Sequence, residues 1–93
     1  MKLGTFTKQP GERESYTITY EDDLTDGDNV QTATASVSPI GGLAVEQVFV
    51  IDPRVRFFVE GGVSGESYKV TVVVNTADGR RLEDEVIIKI KEI

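Results

Sequence analysis

Apolar and polar residues alternate one by one along most of this chain, the mark of strands that bury one face. In Ser15 to Tyr20, Tyr16, Ile18 and Tyr20 share one face and Ser15, Thr17 and Thr19 the other. Tyr68 to Asn75 turns Tyr68, Val70, Val72 and Val74 inward. Leu82 to Ile90 does the same with Leu82, Val86, Ile88 and Ile90, opposite Glu83, Glu85 and Lys89. Four further strands are predicted. Leu3 to Lys8 opens the chain, Val30 to Ser38 has Ala33, Ala35 and Val37 inside, and Arg54 to Glu60 has Val55, Phe57 and Val59 inside. In Leu43 to Ile51 the parity shifts from Leu43 and Val45 to Val48 and Val50, which predicts a bulge near Glu46-Gln47. Composition agrees with strands. Valine, isoleucine and threonine make up 29 of 93 residues against four leucines and four alanines, and β-branched side chains suit a pleated surface better than a helix.

Turn signals separate the strands at Gln9-Pro10-Gly11, Asp26-Gly27-Asp28, Pro39-Ile40-Gly41-Gly42, Asp52-Pro53, Gly61-Gly62 and Asn75-Thr76-Ala77-Asp78-Gly79. No amphipathic helical segment lies between them. The expected fold is all-β: an immunoglobulin/fibronectin-like two-sheet sandwich of about seven antiparallel strands, with a small barrel as runner-up. Residues 1–93 are expected to form a single β-sandwich domain, since a chain of this length buries about 64% of its surface, enough for one modest core.

One segment has a sharper structural meaning. Gly61-Gly62-Val63-Ser64-Gly65-Glu66-Ser67-Tyr68 followed by Val70 and Val72 is a glycine turn entering a strand through a tyrosine. In immunoglobulin-like sandwiches such a tyrosine bonds back to upstream backbone and pins the corner between sheets. Tyr68 and Gly65 are therefore the predicted structural corner. Asp78-Gly79 is expected to supply positive φ values for a tight final hairpin.

Chemistry is poorly provided for. The chain has no cysteine and no histidine, which removes thiol nucleophiles, zinc and iron–sulfur sites, and the commonest general base and metal ligand. The phosphate-cradling loop, Gly-x-Ser-x-Gly and Gly-x-Gly-x-x-Gly are all missing, and no buried carboxylate pair stands out from the sixteen acids. Neither a catalytic site nor a cofactor is expected. The net charge is −6, and Glu12 to Asp28 holds all of it, with seven acids against Arg13. Phosphate backbones and anionic membranes repel such a chain, so neither nucleic acid nor membrane is an expected partner. No apolar run is long enough for a membrane span or secretory signal. Asp22, Asp23, Asp26 and Asp28 could supply oxygen ligands to Ca²⁺, but the loop lacks the EF-hand glycine and bidentate glutamate. A solvated turn is the better reading, and no metal site is expected.

Surplus hydrophobicity is the remaining signal. With the inner faces assigned as above, Phe49, Ile51, Phe58, Val73 and Ile87 point outward, and several apolar residues on one outer face mark a protein interface. A one-residue register error in Leu43 to Glu60 would instead place the phenylalanines in the core.

The order and spacing of several short motifs resemble the phage fibre-tail adaptor family, small immunoglobulin-like virion proteins of tailed bacteriophages. Lys8-Gln9-Pro10-Gly11-Glu12 with Tyr16-Thr17-Ile18 is similar to a Lys-x-Pro-x-Glu and Tyr-x-Ile opening, and Leu24-x-Asp26-Gly27-Asp28 to a Leu-x-x-Gly-Asp turn. Val59-Glu60-Gly61-Gly62, with Gly65, Tyr68, Val70 and Thr71 behind it, resembles a hydrophobic-Ser-Gly-Gly segment. Thr76-x-Asp78-Gly79-Arg80 with Glu83 resembles Thr-x-x-Gly-Arg-x-x-Glu. The family's frequent tryptophans are absent, with Phe58 before Val59 and Ala35 or Val37 where a strand tryptophan is expected. The resemblance implies a non-enzymatic structural adaptor of a phage or prophage tail. It would be made in the bacterial cytoplasm and carried in the virion, in contact with other tail or fibre proteins or with copies of itself. A carbohydrate-binding or adhesion sandwich is the alternative, and would need an exposed stacking platform drawn from Tyr20, Phe49 and Phe58. An enzyme working through carboxylates alone is the third.

Overall fold

A computed structural model describes residues 2–92. All seven predicted strands form: β1 (Lys2–Lys8), β2 (Arg13–Thr19), β3 (Val30–Ser38), β4 (Leu43–Ile51), β5 (Arg54–Gly61), β6 (Ser67–Thr76) and β7 (Arg81–Ile90). Pairing divides them into a four-stranded sheet, β1-β7-β6-β3, and a three-stranded sheet, β2-β5-β4. The result is a β-sandwich.

One feature departs from the antiparallel expectation. β1 runs parallel to β7, with Thr5 opposite Ile87 and Lys8 opposite Ile90, while every other pairing is antiparallel. In the constant-type immunoglobulin arrangement the first strand joins the sheet of the second. Here it crosses to the sheet of the last strand. Alternation dictates which face of a strand is buried but not which neighbour it takes or in which direction, so this pairing had no sequence signal.

The core is built from the inner faces as assigned. Val55, Phe57 and Val59 of β5 face Val70, Val72 and Val74 of β6 and Ile88 of β7, all fully buried. Ile18, Tyr20, Val30, Leu43, Tyr68, Val86 and Ile90 complete the cluster. Along one flank β3 lies against β4; there Ala33, Ala35, Val37, Val45 and Val48 are only partly buried. The other flank is closed by rings, Phe6 against Tyr16 at 4.8 Å and Tyr16 against Phe57 at 5.8 Å between centroids.

The bulge forecast in β4 is present. Glu46 pairs with Phe58 and Phe49 with Arg56, so β4 gains one residue over β5 there, and Gln47 takes a left-handed backbone at φ 48°. This extra residue turns Phe49 and Ile51 to the outside. It does not bury Val50, which at the sheet edge stays 38% exposed. A second bulge, between Val30 and Thr32, had no visible parity shift. The last hairpin also differs from expectation: Gly79 alone has positive φ, at 88°, and Asp78 does not. Gly79 N–H donates to Thr76 O and Thr76 N–H to Arg80 O, the three-residue loop with a left-handed closing residue.

Candidate functional site

The five outward-pointing residues do not share one surface. Val73 and Ile87 lie half-buried on the outer face of the four-stranded sheet. Their cross-strand neighbours are Thr34 and Glu83 for Val73, and Lys69 and Thr5 for Ile87. Each is an isolated aliphatic in a polar field. Phe49, Ile51 and Phe58 instead gather on the outer face of the three-stranded sheet, where Phe49 is 45% and Ile51 52% exposed. The register alternative is resolved by β5: Phe57 is the buried phenylalanine, Phe58 the outer one.

Arginine chemistry surrounds Phe58. The Arg13 guanidinium stacks 4.2 Å and that of Arg56 5.2 Å from its ring centroid, and Phe49 meets it edge-on at 6.4 Å. Arg13 is held in place by Glu46 and Glu60 at 3.9 and 3.7 Å and donates to Gln47 Oε1 at 2.8 Å. The bulge thus orients the arginine that covers Phe58. Phe49, Val50 and Ile51 remain the uncovered apolar stretch, and β4 is an edge strand whose outer backbone groups pair with no strand of the sheet. Exposed apolar side chains on an unpaired edge are the features through which sheets recruit another chain.

The stacking platform of the alternative reading is not assembled. Tyr20 is fully buried, because it continues the inner face of β2, and Phe49 and Phe58 are inclined at 82° to one another. A flat sugar face needs coplanar rings.

Tyr68 is buried, and its hydroxyl accepts a hydrogen bond of 3.1 Å from Val63 N–H, five residues upstream. Gly65 between them has φ of 90°. A Cβ on Gly42 would come within 2.6 Å of the Tyr68 hydroxyl, so the opposite loop must also be glycine for the corner to close.

Acidic side chains have two fates. Asp28 is a clasp: its Oδ1 accepts from the N–H groups of Asn29 and Asp78, both at 2.9 Å. Desolvation pushes this carboxyl up, but hydrogen bonds from Asp78, Thr76 and Asn29 and the Arg80 charge outweigh it and hold the group below the usual carboxylate range. Asp22, Asp23 and Asp26 are exposed, and among the described residues no three acids are placed to hold a metal ion. Asp84 is different. It sits on the inner face of β7 between Leu82 and Val86 and is 5% exposed. Counting by twos from Leu82 reaches it, yet a lone acid in an apolar row is easily passed over. With Tyr20, Asp23, Leu82 and Glu83 it lines a half-open pocket of about 150 Å³.

Lys8 was equally hidden. It is 1% exposed, and its ammonium donates to Gln9 O at 2.7 Å and Gly61 O at 2.6 Å. Burial lowers its pKa, against the opposing pull of Glu12, Glu14 and Glu60. Its role shows how the motif segments are placed: they meet in pairs at the two ends of the sandwich. At one end Lys8 reaches Gly61, Gln9 N–H donates to Glu12 Oε1, and Gly62 N–H donates to Gly42 O. At the other, Asp28 takes Asp78 N–H, Arg80 donates to Asp23 O at 2.6 Å, and Thr76 Oγ1 accepts from Arg80 N–H. These motifs close the ends of the fold.

Compared with known proteins, residues 8–89 match the model of one family, described as "Podophage GP4 fiber-tail adaptor protein gp77". No curated protein matches the chain.

Proposed function

The chain belongs to the podophage GP4 fibre-tail adaptor family, and from that premise we propose that it works without catalysis, joining tail parts through the apolar outer face of its three-stranded sheet. Membership makes it a structural component of the phage tail and of the virion. The finer reading rests on one observation: Phe49 and Ile51 stand exposed beside the unpaired edge of β4. Burying two such side chains against a partner stabilises association by roughly 1.5–3 kcal/mol each. Absence of histidine and cysteine supports the non-enzymatic part, as does a pocket of about 150 Å³ where ligand sites usually occupy ~300–1,000 Å³.

The test is complementation. In a phage lacking its copy of this gene, the wild-type chain supplied in trans restores fibre-bearing tails. Phe49→Glu/Ile51→Glu does not restore them although it melts as the wild type does, and Val73→Thr on the opposite sheet does. Restoration by the double glutamate variant would overturn the assignment of this face.

A further inference from the structure

The pocket between β2, its following loop and β7 is a second site of distinct character. Asp84, Glu83 and Asp23 contribute three acids to its wall, and the Tyr20 hydroxyl is buried without a hydrogen bond of good geometry. That hydroxyl lies against the same acids: after burial, the Asp84 charge, a loose hydrogen bond to Asp84 and then the Asp23 charge raise its pKa. No lysine or arginine among the described residues forms an ion pair with Asp84. Arg80, the base beside this loop, is spent on the carbonyl of Asp23 and the field of Asp28. A buried carboxylate without a cation is unfavourable, and a buried hydroxyl held only by a poorly aligned bond adds to the cost. Asp23 lines the pocket and is exposed, as are its chain neighbours Glu21, Asp22 and Asp26, and their combined charge attracts cations to this loop.

We infer that this pocket receives a basic side chain presented by a neighbouring tail protein, its charged head between Asp84 and the Tyr20 hydroxyl. The size fits: a cavity of about 150 Å³ holds a molecule as large as benzene, comparable to the end of a lysine side chain. A metal ion is the poorer fit, because no three acids among the described residues converge on one point. Only the carrier of the cation rests on the reading of the chain as a tail connector. The pocket stands or falls by itself.

N-acetyl-lysinamide, titrated into the isotope-labelled protein, is expected to shift the backbone resonances of Tyr20 to Leu24 and Leu82 to Val86 saturably. N-acetyl-norleucinamide, which lacks the charge, is expected not to. Asp84→Asn should weaken the lysine probe roughly tenfold or more, the worth of a charge-assisted hydrogen bond, and Tyr20→Phe should weaken it less. Absence of a saturable shift, equal shifts from the norleucine probe, or tighter binding of Ca²⁺ at the same resonances would each overturn the proposal. If lysine binds while the outer-face variants still complement, the β4 face falls and the pocket survives. If the outer-face variants fail and lysine does not bind, the reverse holds.

Discussion

The two sheets of this sandwich obey the same alternation and use it to different ends. The four-stranded sheet supplies most of the core and presents a polar outer face, rich in threonine, serine, glutamate and lysine, in which Val73 and Ile87 are isolated. The three-stranded sheet contributes Val55, Phe57 and Val59 to the core and then spends Phe49, Ile51 and Phe58 on its outside. A bulge in β4 makes the difference. With one residue more than its partner strand, β4 reverses its parity midway and moves two large apolar side chains from the buried set to the exposed one. A single extra residue thereby turns a scaffold into a candidate surface.

The sharpest way to break the comparison lies in two adjacent residues of β5. Phe57 is fully buried, so Phe57→Ala is expected to cost ~3–5 kcal/mol through lost burial and the cavity left behind. Phe58→Ala forfeits chiefly the stacking of Arg13 and Arg56, about 1 kcal/mol. Equal losses in denaturant melts would mean that the inner and outer faces of this sheet are not distinct.

Next in size are the groups that tie the four-stranded sheet to its partner. Lys8→Met leaves Gln9 O and Gly61 O without their donor, and should cost ~1–3 kcal/mol. Tyr68→Phe orphans Val63 N–H and is expected to cost about 1 kcal/mol. Thermal melts that leave either variant unchanged would remove that group from the ties between sheets.

A smaller effect distinguishes Tyr20. Burial first, then Asp84 and Asp23, push its pKa above the ordinary 10.0. The folded state therefore holds this proton more tightly than the unfolded one. Stability from Tyr20 is fully present below pH 10.0 and is lost as pH rises beyond it. Tyr20→Phe should flatten the alkaline limb of a stability–pH curve while leaving the neutral region's shape unchanged. An unaltered limb would show that this phenol does not titrate as the buried group described.

These residues also show how far the chain could be read without coordinates. Strands β3 and β4 have the same bounds in sequence and structure, because β-branched runs and glycine–proline turns mark both ends locally. Alternation gave Phe57 and Phe58 opposite faces but left open which was inside, and the structure buries Phe57. Lys8 and Asp84 were not legible as buried groups. Lys8 is satisfied by Gly61, 53 positions away, and Asp84 sits in a pocket completed by Tyr20 and Asp23 of the turn after β2. Partners so distant leave no periodic trace. The parallel pairing of β1 with β7 was hidden for the same reason, being a choice between neighbours and not a property of either strand.

The smallest effect concerns the exposed pair itself and bears most directly on why the sheets differ. Phe49 and Ile51 are about half exposed already, at 45% and 52%, so the isolated fold gains little from them. Phe49→Ser/Ile51→Thr should change stability by no more than ~0.5 kcal/mol, the ordinary range for surface positions, and threonine in a strand offsets part of even that. If the pair were needed for folding, the double variant would melt early, and its apolar exposure would have a structural cause. If the melt is unchanged while the same substitutions slow the protein's self-association in concentrated solution or its capture by tail components, the exposed side chains serve contact alone. The bulge that displays them would then be a feature kept for binding, because a β4 strand without it would have buried the pair to the benefit of the core.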